Sequence, residues 1–320
     1  MKRRQVLLAF ALAGVPFAHA QERVRRVGVL LPGAQNAGLM TPLRKRLGEL
    51  GWVEGKNIAF ELRNAENRYD RLPELAADLV RMEVDLIIAA STPIARAAKD
   101  ASGRIPVVFA WVADPVGSGL VASLGRPGSN ATGLSNRATE VGPKSLELIK
   151  TLIPDLKRVA ELRDPNFAGT PALSAQLQAA ALRLGITLVQ IGASAADELE
   201  PAFAAAAREK VQAMLVPPLP MYGEQRKLIG ELGKKYRIPT ASQFRSLVEA
   251  GGLVSYGSDL TDGFVRTATY VDRILRGAKP ADLPVEQSDR FVITLNRRTA
   301  AELGLKIPQD LLLRADEVFE

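Results

Sequence analysis

The sequence predicts an α/β protein made of two similar lobes, each Rossmann-like with a parallel sheet, joined by a hinge of crossing segments. Three observations carry that reading. Short runs rich in Val and Ile alternate with Ala/Leu-rich helical stretches along the chain, the pattern of βαβ units. The order then returns. Lys157-Arg158-Val159-Ala160 echoes Arg25-Arg26-Val27-Gly28, Leu184-Gly185 echoes Leu50-Gly51, the run from Val211 echoes that from Val84, and Arg237-Ile238-Pro239 echoes Arg104-Ile105-Pro106, at offsets of 132, 134, 127 and 133 residues. Finally, 320 residues are more than one ordinary core absorbs.

The first segment stands outside this pattern. Residues 1–20 open with Lys2, Arg3 and Arg4, continue with an apolar run from Val6 to Val15 and end on Ala18-His19-Ala20. That is the layout of a secretory signal peptide, too short to span a bilayer, with cleavage expected after Ala20. Strands are then expected at Val24–Leu31, Lys56–Leu62, Asp85–Ala90 and Ile105–Ala110, with helices at Thr41–Leu50, Arg68–Arg81 and Thr92–Ala101 between them. Pro42 suits a first helical turn. Gly125-Arg126-Pro127-Gly128-Ser129-Asn130, followed by Thr132-Gly133, has turn chemistry and is expected to link the lobes. From Gly252 the chain reads as a strand (Leu253–Tyr256), a long helix (about Asp259–Arg276), a Pro-containing connection, a strand near Phe291–Leu295 and a final helix. This is too little for a third core, so it should complete both sheets and recross the hinge. Lobe 1 is then 21–135 plus about 255–285, and lobe 2 is 136–254 plus about 286–320.

Composition closes several functional classes. The chain has no Cys, and its one His, His19, lies in the leader. A mature chain of Gln21–Glu320 can therefore build no Ser-His-Asp or Cys-His triad and no disulfide, and zinc loses its preferred ligands. No metal or cofactor is expected: Gly28–Gly33 lacks GxGxxG spacing, no GxxxxGK[ST] loop occurs, and Gly117-Ser118-Gly119 has no histidine to activate its serine. Without Cys there is no lipidated N-terminus, so a freely diffusing, monomeric periplasmic protein with no direct membrane anchor is expected. Removing the leader leaves 39 basic against 35 acidic residues, a balance of +4. No long like-charge run or aromatic–basic alternation marks a nucleic-acid platform, and no helix-turn-helix precedes the first strand.

In open parallel sheets ligands bind beyond the carboxyl ends of the strands, where helix N-termini present free N–H groups. In lobe 1 this selects Gln35, Ser91, Thr92, Trp111 and Asp114. In lobe 2 it selects Asp164, Asn166, Phe167, Pro218, Tyr222, Gln243 and Phe244. Ser91 and Thr92 could join hydroxyls to a helix N-terminus to hold a carboxylate, or simply cap the helix. Asp114 and Asp164 could meet a ligand ammonium, but both precede proline and suit turns equally. Trp111, Phe167, Tyr222 and Phe244 could form apolar walls or pack beneath loops. The repeat of Ser91-Thr92 is Pro217-Pro218, without hydroxyls, so polar recognition at this level should be asymmetric.

Four segments, Leu50-Gly-Trp-Val-Glu-Gly-Lys-Asn57, Asp114 through Leu134, Glu249-Ala-Gly-Gly-Leu-Val-Ser-Tyr-Gly257 and Gly277 through Glu286, resemble the ABC-transporter substrate-binding proteins with the type I periplasmic-binding fold, among them tryptophan- and tyrosine-binding members. The resemblance spans nearly the whole mature chain. It implies two lobes that clamp a ligand and deliver it to a membrane permease driven by an ATPase, and it raises Ser91, Thr92 and Asp114 as ligand contacts. Glu161-Leu-Arg-Asp164 departs from the family's usual appearance, where a more apolar strand end and a small residue or Asn would stand.

The expectation is a solute-binding protein and not an enzyme. Ser91, Thr92 and nearby N–H groups would hold the anionic end of an aromatic or branched amino acid, and Asp114 or Asp164 its ammonium. Two rivals remain. One is a sensing module that reports to a membrane receptor. The other is a carboxylate-only hydrolase, which needs two acids about 5 to 9.5 Å apart across a cleft.

Overall fold

The computed structural model describes residues 23–33, 38–167 and 170–320. The expected leader at 1–20 and the candidate Gln35 lie outside the described residues. Two sheets organise the chain, one of six strands and one of seven. The first is entered by β1 (Arg25–Leu31), α1 (Met40–Glu49), β2 (Ile58–Asn64), α2 (Leu72–Arg81), β3 (Leu86–Ala90), α3 (Thr92–Ser102), β4 (Val107–Val112) and β5 (Ala131–Ser135). The second repeats the alternation through α4 (Ala138–Leu152), β6 (Arg158–Arg163), α5 (Thr170–Leu184), β7 (Thr187–Gly192), α6 (Leu199–Arg208), β8 (Ala213–Val216), α7 (Pro220–Glu224), α8 (Arg226–Lys235), β9 (Thr240–Ser242), α9 (Arg245–Glu249) and β10 (Val254–Ser258).

The sequence dictates this class for a simple reason. Strands such as Leu86-Ile-Ile-Ala-Ala90 are apolar at every position and buried at every position, which a sheet tolerates only when helices cover both faces. Each lobe accordingly has two cores. In lobe 1, Leu43, Leu47, Ile88 and Val271 pack on one face, and Leu79, Ile94 and Phe109 on the other. In lobe 2 the corresponding pairs of layers hold Leu148, Leu177 and Leu215, and Phe203, Met214 and Ile229. The repeated order Arg25-Arg26-Val27 and Lys157-Arg158-Val159 marks equivalent strands. β1 runs parallel between β2 and β3, as β6 runs parallel between β7 and β8.

The C-terminal elements are shared between the sheets. α10 (Leu260–Leu275) packs with lobe 1 through Phe264, Ala268 and Val271, and β11 (Glu286–Gln287) adds to β5. β12 (Phe291–Asn296) pairs antiparallel with β10, and β13 (Glu317–Phe319) completes that edge after α11 (Arg297–Glu302) and α12 (Gln309–Arg314). The chain thus passes between the sheets at 136–137, at Asp259 and at 288–290.

Two local expectations need correction. The Gly/Pro-rich stretch at 125–130 with Thr132-Gly133 is no link between lobes. It connects β4 to β5 inside the first sheet, where Val108 pairs with Thr132 and Phe109 with Gly133. Thr132 Oγ1 donates to the Leu283 carbonyl at 2.7 Å. Gly133, at φ +146, lets the strands meet so closely that a Cβ would stand 1.9 Å from the Phe109 carbonyl oxygen. The chain also ends on β13 rather than a helix, because Glu317-Val318-Phe319 finds an unpaired edge of β12.

Candidate ligand-binding cleft

The C-terminal ends of the two sheets face each other across a half-open cleft of about 240 Å³. Lobe 1 lines it with Pro32, Leu39, Ala90, Ser91 and Trp111, and α10 adds Leu260 and Phe264. Lobe 2 contributes Pro218, Pro220, Gly223, Arg226, Phe244 and Ser246. Among the described residues no cluster of His, Cys, Asp and Glu could hold a metal ion.

Lobe 1 brings two strained residues to this wall. Ser91 follows the last residue of β3 at φ 88, ψ 159, a region that glycine populates almost alone. The conformation is held by neighbours: its N–H donates to the Ala110 carbonyl at 3.0 Å and its own carbonyl accepts from Ala95 N at 3.0 Å. Its side chain makes no cap bond to α3, and its buried Oγ has no partner among the described residues. Trp111 has φ +65 where the β4–β5 register shifts between Phe109 and Val112. Such an irregularity re-aims a side chain out of the pleat. The indole Nε1 is likewise buried without an acceptor among the described residues. Strain of this kind persists only where surroundings over-determine it, and it gathers at binding sites.

Lobe 2 answers with one cation and apolar surface. Arg226 opens α8 and donates from Nη1 to the Gly223 carbonyl at 3.0 Å; among the described residues no carboxylate pairs with it. Pro217-Pro218 follows β8, and Phe244 N is tied to Ser242 Oγ at 3.2 Å, which holds the ring at the end of β9. The lips of the cleft touch. Asn67 Nδ2 donates to Glu224 Oε2, and the rings of Tyr69 and Phe167 stand 5.9 Å apart. Burial, then the Asp164 and Glu224 carboxylates, push the Tyr69 hydroxyl well above its usual pKa, so it stays protonated between the lobes.

Of the residues expected from sequence, Ser91, Trp111, Pro218 and Phe244 meet in this cleft. The other described candidates do not line it. Thr92 Oγ1 accepts from Ala113 N at 3.3 Å, fastening the loop after β4. Asp114 is exposed and builds its own turn, Oδ1 accepting from Gly117 N at 2.8 Å. Asp164 is buried, its Oδ1 accepting from Asn166 N at 2.9 Å and Ser194 Oγ at 2.7 Å. Asn166 is exposed and donates to Ser194 Oγ at 3.1 Å. Phe167 is a lip residue rather than a wall. Tyr222 is 1% exposed and donates to the Ala193 carbonyl at 2.7 Å inside lobe 2. Gln243 lines an adjoining small recess of about 40 Å³, with Glu161, Ser145 and Pro217, which shares Pro218 with the cleft. Neither aspartate required by a carboxylate-only hydrolase lines the cleft.

Sequence reasoning missed Arg226, Ser246, Leu260 and Phe264. The last two carried a signal, since i and i+4 apolar positions on an amphipathic helix share a face. Arg226 carried none, because a helix, α7, separates it from the strand end that the topological rule inspects.

Comparison with known proteins identifies the family. The model of the ABC transporter substrate binding protein family matches residues 33–319. A tyrosine-binding protein of Clostridioides difficile is 28% identical over 262 residues, covering 82% of this chain and 75% of that protein. An ABC domain from Streptococcus pneumoniae in complex with L-Trp is 27% identical, with TM-score 0.85, covering 92% of this chain and all of that one. A ligand-free, open substrate-binding protein from Clostridium difficile is 26% identical with TM-score 0.69, covering 92% and 99%. With two hinged α/β lobes, a lined cleft between their strand ends and a family match over most of its length, the chain belongs to the ABC transporter substrate-binding proteins.

Proposed function

We propose that this protein is the solute receptor of an ABC importer, holding between its lobes a small molecule with an aromatic or branched apolar body and an anionic end. Aromatic amino acids are the first examples to test, given the relatives' ligands. The observation that carries the reading is Ser91. A hydroxyl held in glycine-like strain, uncapping its own helix and facing a cleft that Arg226 closes from the other side, is costly unless it meets a ligand. The N–H groups at the start of α3 add their dipole to the same end. Trp111, Phe244 and Phe264 supply the apolar wall.

Binding here spends its energy on closure rather than reaction. The touching lips, and the better superposition on the L-Trp complex than on the open protein at equal coverage, support a closed arrangement. Ligand would select that arrangement from an existing open–closed equilibrium and so display a surface spanning both lobes to a permease and its ATPase. Secretion with cleavage after Ala20, and a monomer in the periplasm, complete the proposal; among the described residues no helix is long and apolar enough to cross a membrane. The test is calorimetry and small-angle scattering on the purified mature chain with aromatic and branched amino acids and the matching carboxylates. Heat and compaction with one class are expected. Silence and an unchanged radius with all of them, or consumption of the bound molecule, would remove the reading.

A further inference from the structure

Lobe 2 brings carboxylates to the cleft in two ways. Asp164 and Glu224 act at its lips, where their charges reach the Tyr69 hydroxyl, and both are engaged. Asp164 Oδ1 accepts from Asn166 N and Ser194 Oγ, and Glu224 Oε2 accepts from Asn67 Nδ2. Glu161 is set deeper, on β6, where it lines the small recess that shares Pro218 with the cleft. It is only 5% exposed. Ser174 Oγ donates to its Oε1, whereas its buried Oε2 has no partner among the described residues.

Packing does not call for an acid at this position. The residue 132 positions earlier, its counterpart in β1, is fully buried Val29. A buried carboxylate oxygen without a donor is costly, and the walls around it supply none: Leu177 and Leu215 are apolar, Pro217 and Pro218 carry no N–H, and Ser145 Oγ donates to the Val141 carbonyl at 3.2 Å. Burial raises the pKa of Glu161, with Ser174, Arg163 and Gln190 opposing in part, so an entering donor would relieve it. The recess, about 40 Å³, has room for an ammonium, a hydroxyl or a water and not for a ring. We propose that this recess is the donor subsite of the solute site: a small hydrogen-bond-donating head group of the ligand, an ammonium or a hydroxyl, enters past Pro218 and donates to Glu161 Oε2. The ligand's anionic end stays with Ser91 and Arg226, so Glu161 sets the selectivity for ligands that carry both groups. The proposal rests on the reading of the interlobe cleft as the solute site.

Calorimetry on the purified mature chain with probes that differ by one donor tests it: L-Phe against 3-phenylpropanoate and L-Leu against 4-methylpentanoate for the ammonium, and L-Tyr against L-Phe for the hydroxyl. The donor-bearing member of at least one pair should bind about ten- to a hundredfold more tightly, the worth of a hydrogen bond to a charged group. Glu161→Val, which installs the lobe 1 residue, should erase that preference and leave the affinity of the donor-free member unchanged, a split that a merely structural role would not give. Glu161→Gln separates the two sources, because an ammonium preference falls with the charge while a hydroxyl preference survives on the amide oxygen. Thermal melting of both variants reads folding independently. Parent pairs that bind equally, a preference that persists in Glu161→Val, or one that Asp164→Asn removes and Glu161→Val does not, would overturn the proposal and leave the recess to a water and the cleft as the solute site. Silence toward every probe would overturn both.

Discussion

Lobe 1 and lobe 2 share one frame and differ in what they show the cleft. Both set β1 or β6 second from one edge of the sheet, between β2 and β3 or between β7 and β8, and both use a glycine where a strand crowds its neighbour. Gly133 lies against the Phe109 carbonyl and Gly257 against that of Gln243, with 1.9 and 2.1 Å to a Cβ built at each. The cleft edges have diverged. Lobe 1 presents strained Ser91 and Trp111 with unspent hydrogen-bond donors, while lobe 2 presents prolines, Phe244 and Arg226. Duplication therefore constrains the buried strands, where every side chain is packed on both sheet faces, and leaves the strand ends free to specialise. Under the proposed reading, a polar anchor in one lobe and a cationic, apolar cap in the other would hold a ligand only when the lobes close.

The largest expected effect addresses the shared frame. Gly133→Val and Gly257→Val should each cost about 3 kcal/mol or more in stability, because the new side chain would occupy the space of a backbone carbonyl. Denaturant unfolding and hydrogen exchange would show it, with protection lost first in the lobe that carries the change. A harmless Gly257→Val beside a crippling Gly133→Val would break the equivalence of the two frames.

Ser91→Gly separates the cleft edges. Removing a side chain from a glycine-like conformation should stabilise the protein by about 1–3 kcal/mol. Removing the hydroxyl should weaken ligand binding by about tenfold, the worth of one charge-assisted hydrogen bond. A melting temperature that rises while affinity falls is the expected pair of results; a fall in both would show that the strain has been misplaced.

Tyr69→Ala tests the lips. The Tyr69–Phe167 pair should contribute about 0.5–1.5 kcal/mol beyond its buried area, so its loss should weaken binding by about two- to twelvefold and shift small-angle scattering of the unliganded protein toward a larger radius. An unchanged radius and affinity would mean that closure does not depend on this contact.

The smallest effect lies where the two lobes differ inside a strand. At the offset that aligns Arg25 with Lys157, fully buried Val29 corresponds to Glu161, which is 5% exposed. Glu161 bonds Ser174 through Oε1, and Oε2 has no partner among the described residues. Burial raises its pKa above the usual carboxylate value, with Ser174 and Arg163 opposing in part. The folded chain thus holds this proton more tightly than the unfolded chain. The stabilisation is complete below the unfolded carboxylate pKa and is lost as pH rises through the raised folded value. Glu161→Gln should therefore melt higher than the parent at pH 8 and equally at pH 4; a gap independent of pH would assign the difference to packing alone.

The offsets of Lys157 and Arg237 from Arg25 and Arg104 made the repeated lobes readable, because buried parallel strands demand continuous apolar runs that composition displays directly. Ser91, Trp111, Pro218 and Phe244 were legible for a related reason: each stands at the carboxyl end of a strand, where the topology must place a cleft. Asp114, Asp164 and Tyr222 stand at similar positions and were equally plausible on paper. They differ in having found partners close by, in Gly117 N, Ser194 Oγ and the Ala193 carbonyl. Local spacing does not say whether a polar group has been satisfied. The Gly/Pro stretch at 125–130 misled for the converse reason, since turn chemistry shows that a chain bends and not which strand it bends toward.

The sequence by itself determined the class of fold, the lack of cysteine anywhere and of histidine after His19, and the repeated order of strands and helices, all of which follow from residue type and period. Only the tertiary structure decided which polar groups remain unspent, that Ser91 is strained rather than a cap, and that Arg226 on α8 faces lobe 1 across the cleft. These depend on how separate strands and helices meet in three dimensions, from the Ser91 N–H bond to the Ala110 carbonyl to the cleft shared by Ser91 and Arg226, and a buried donor's value is set by whether such a contact exists.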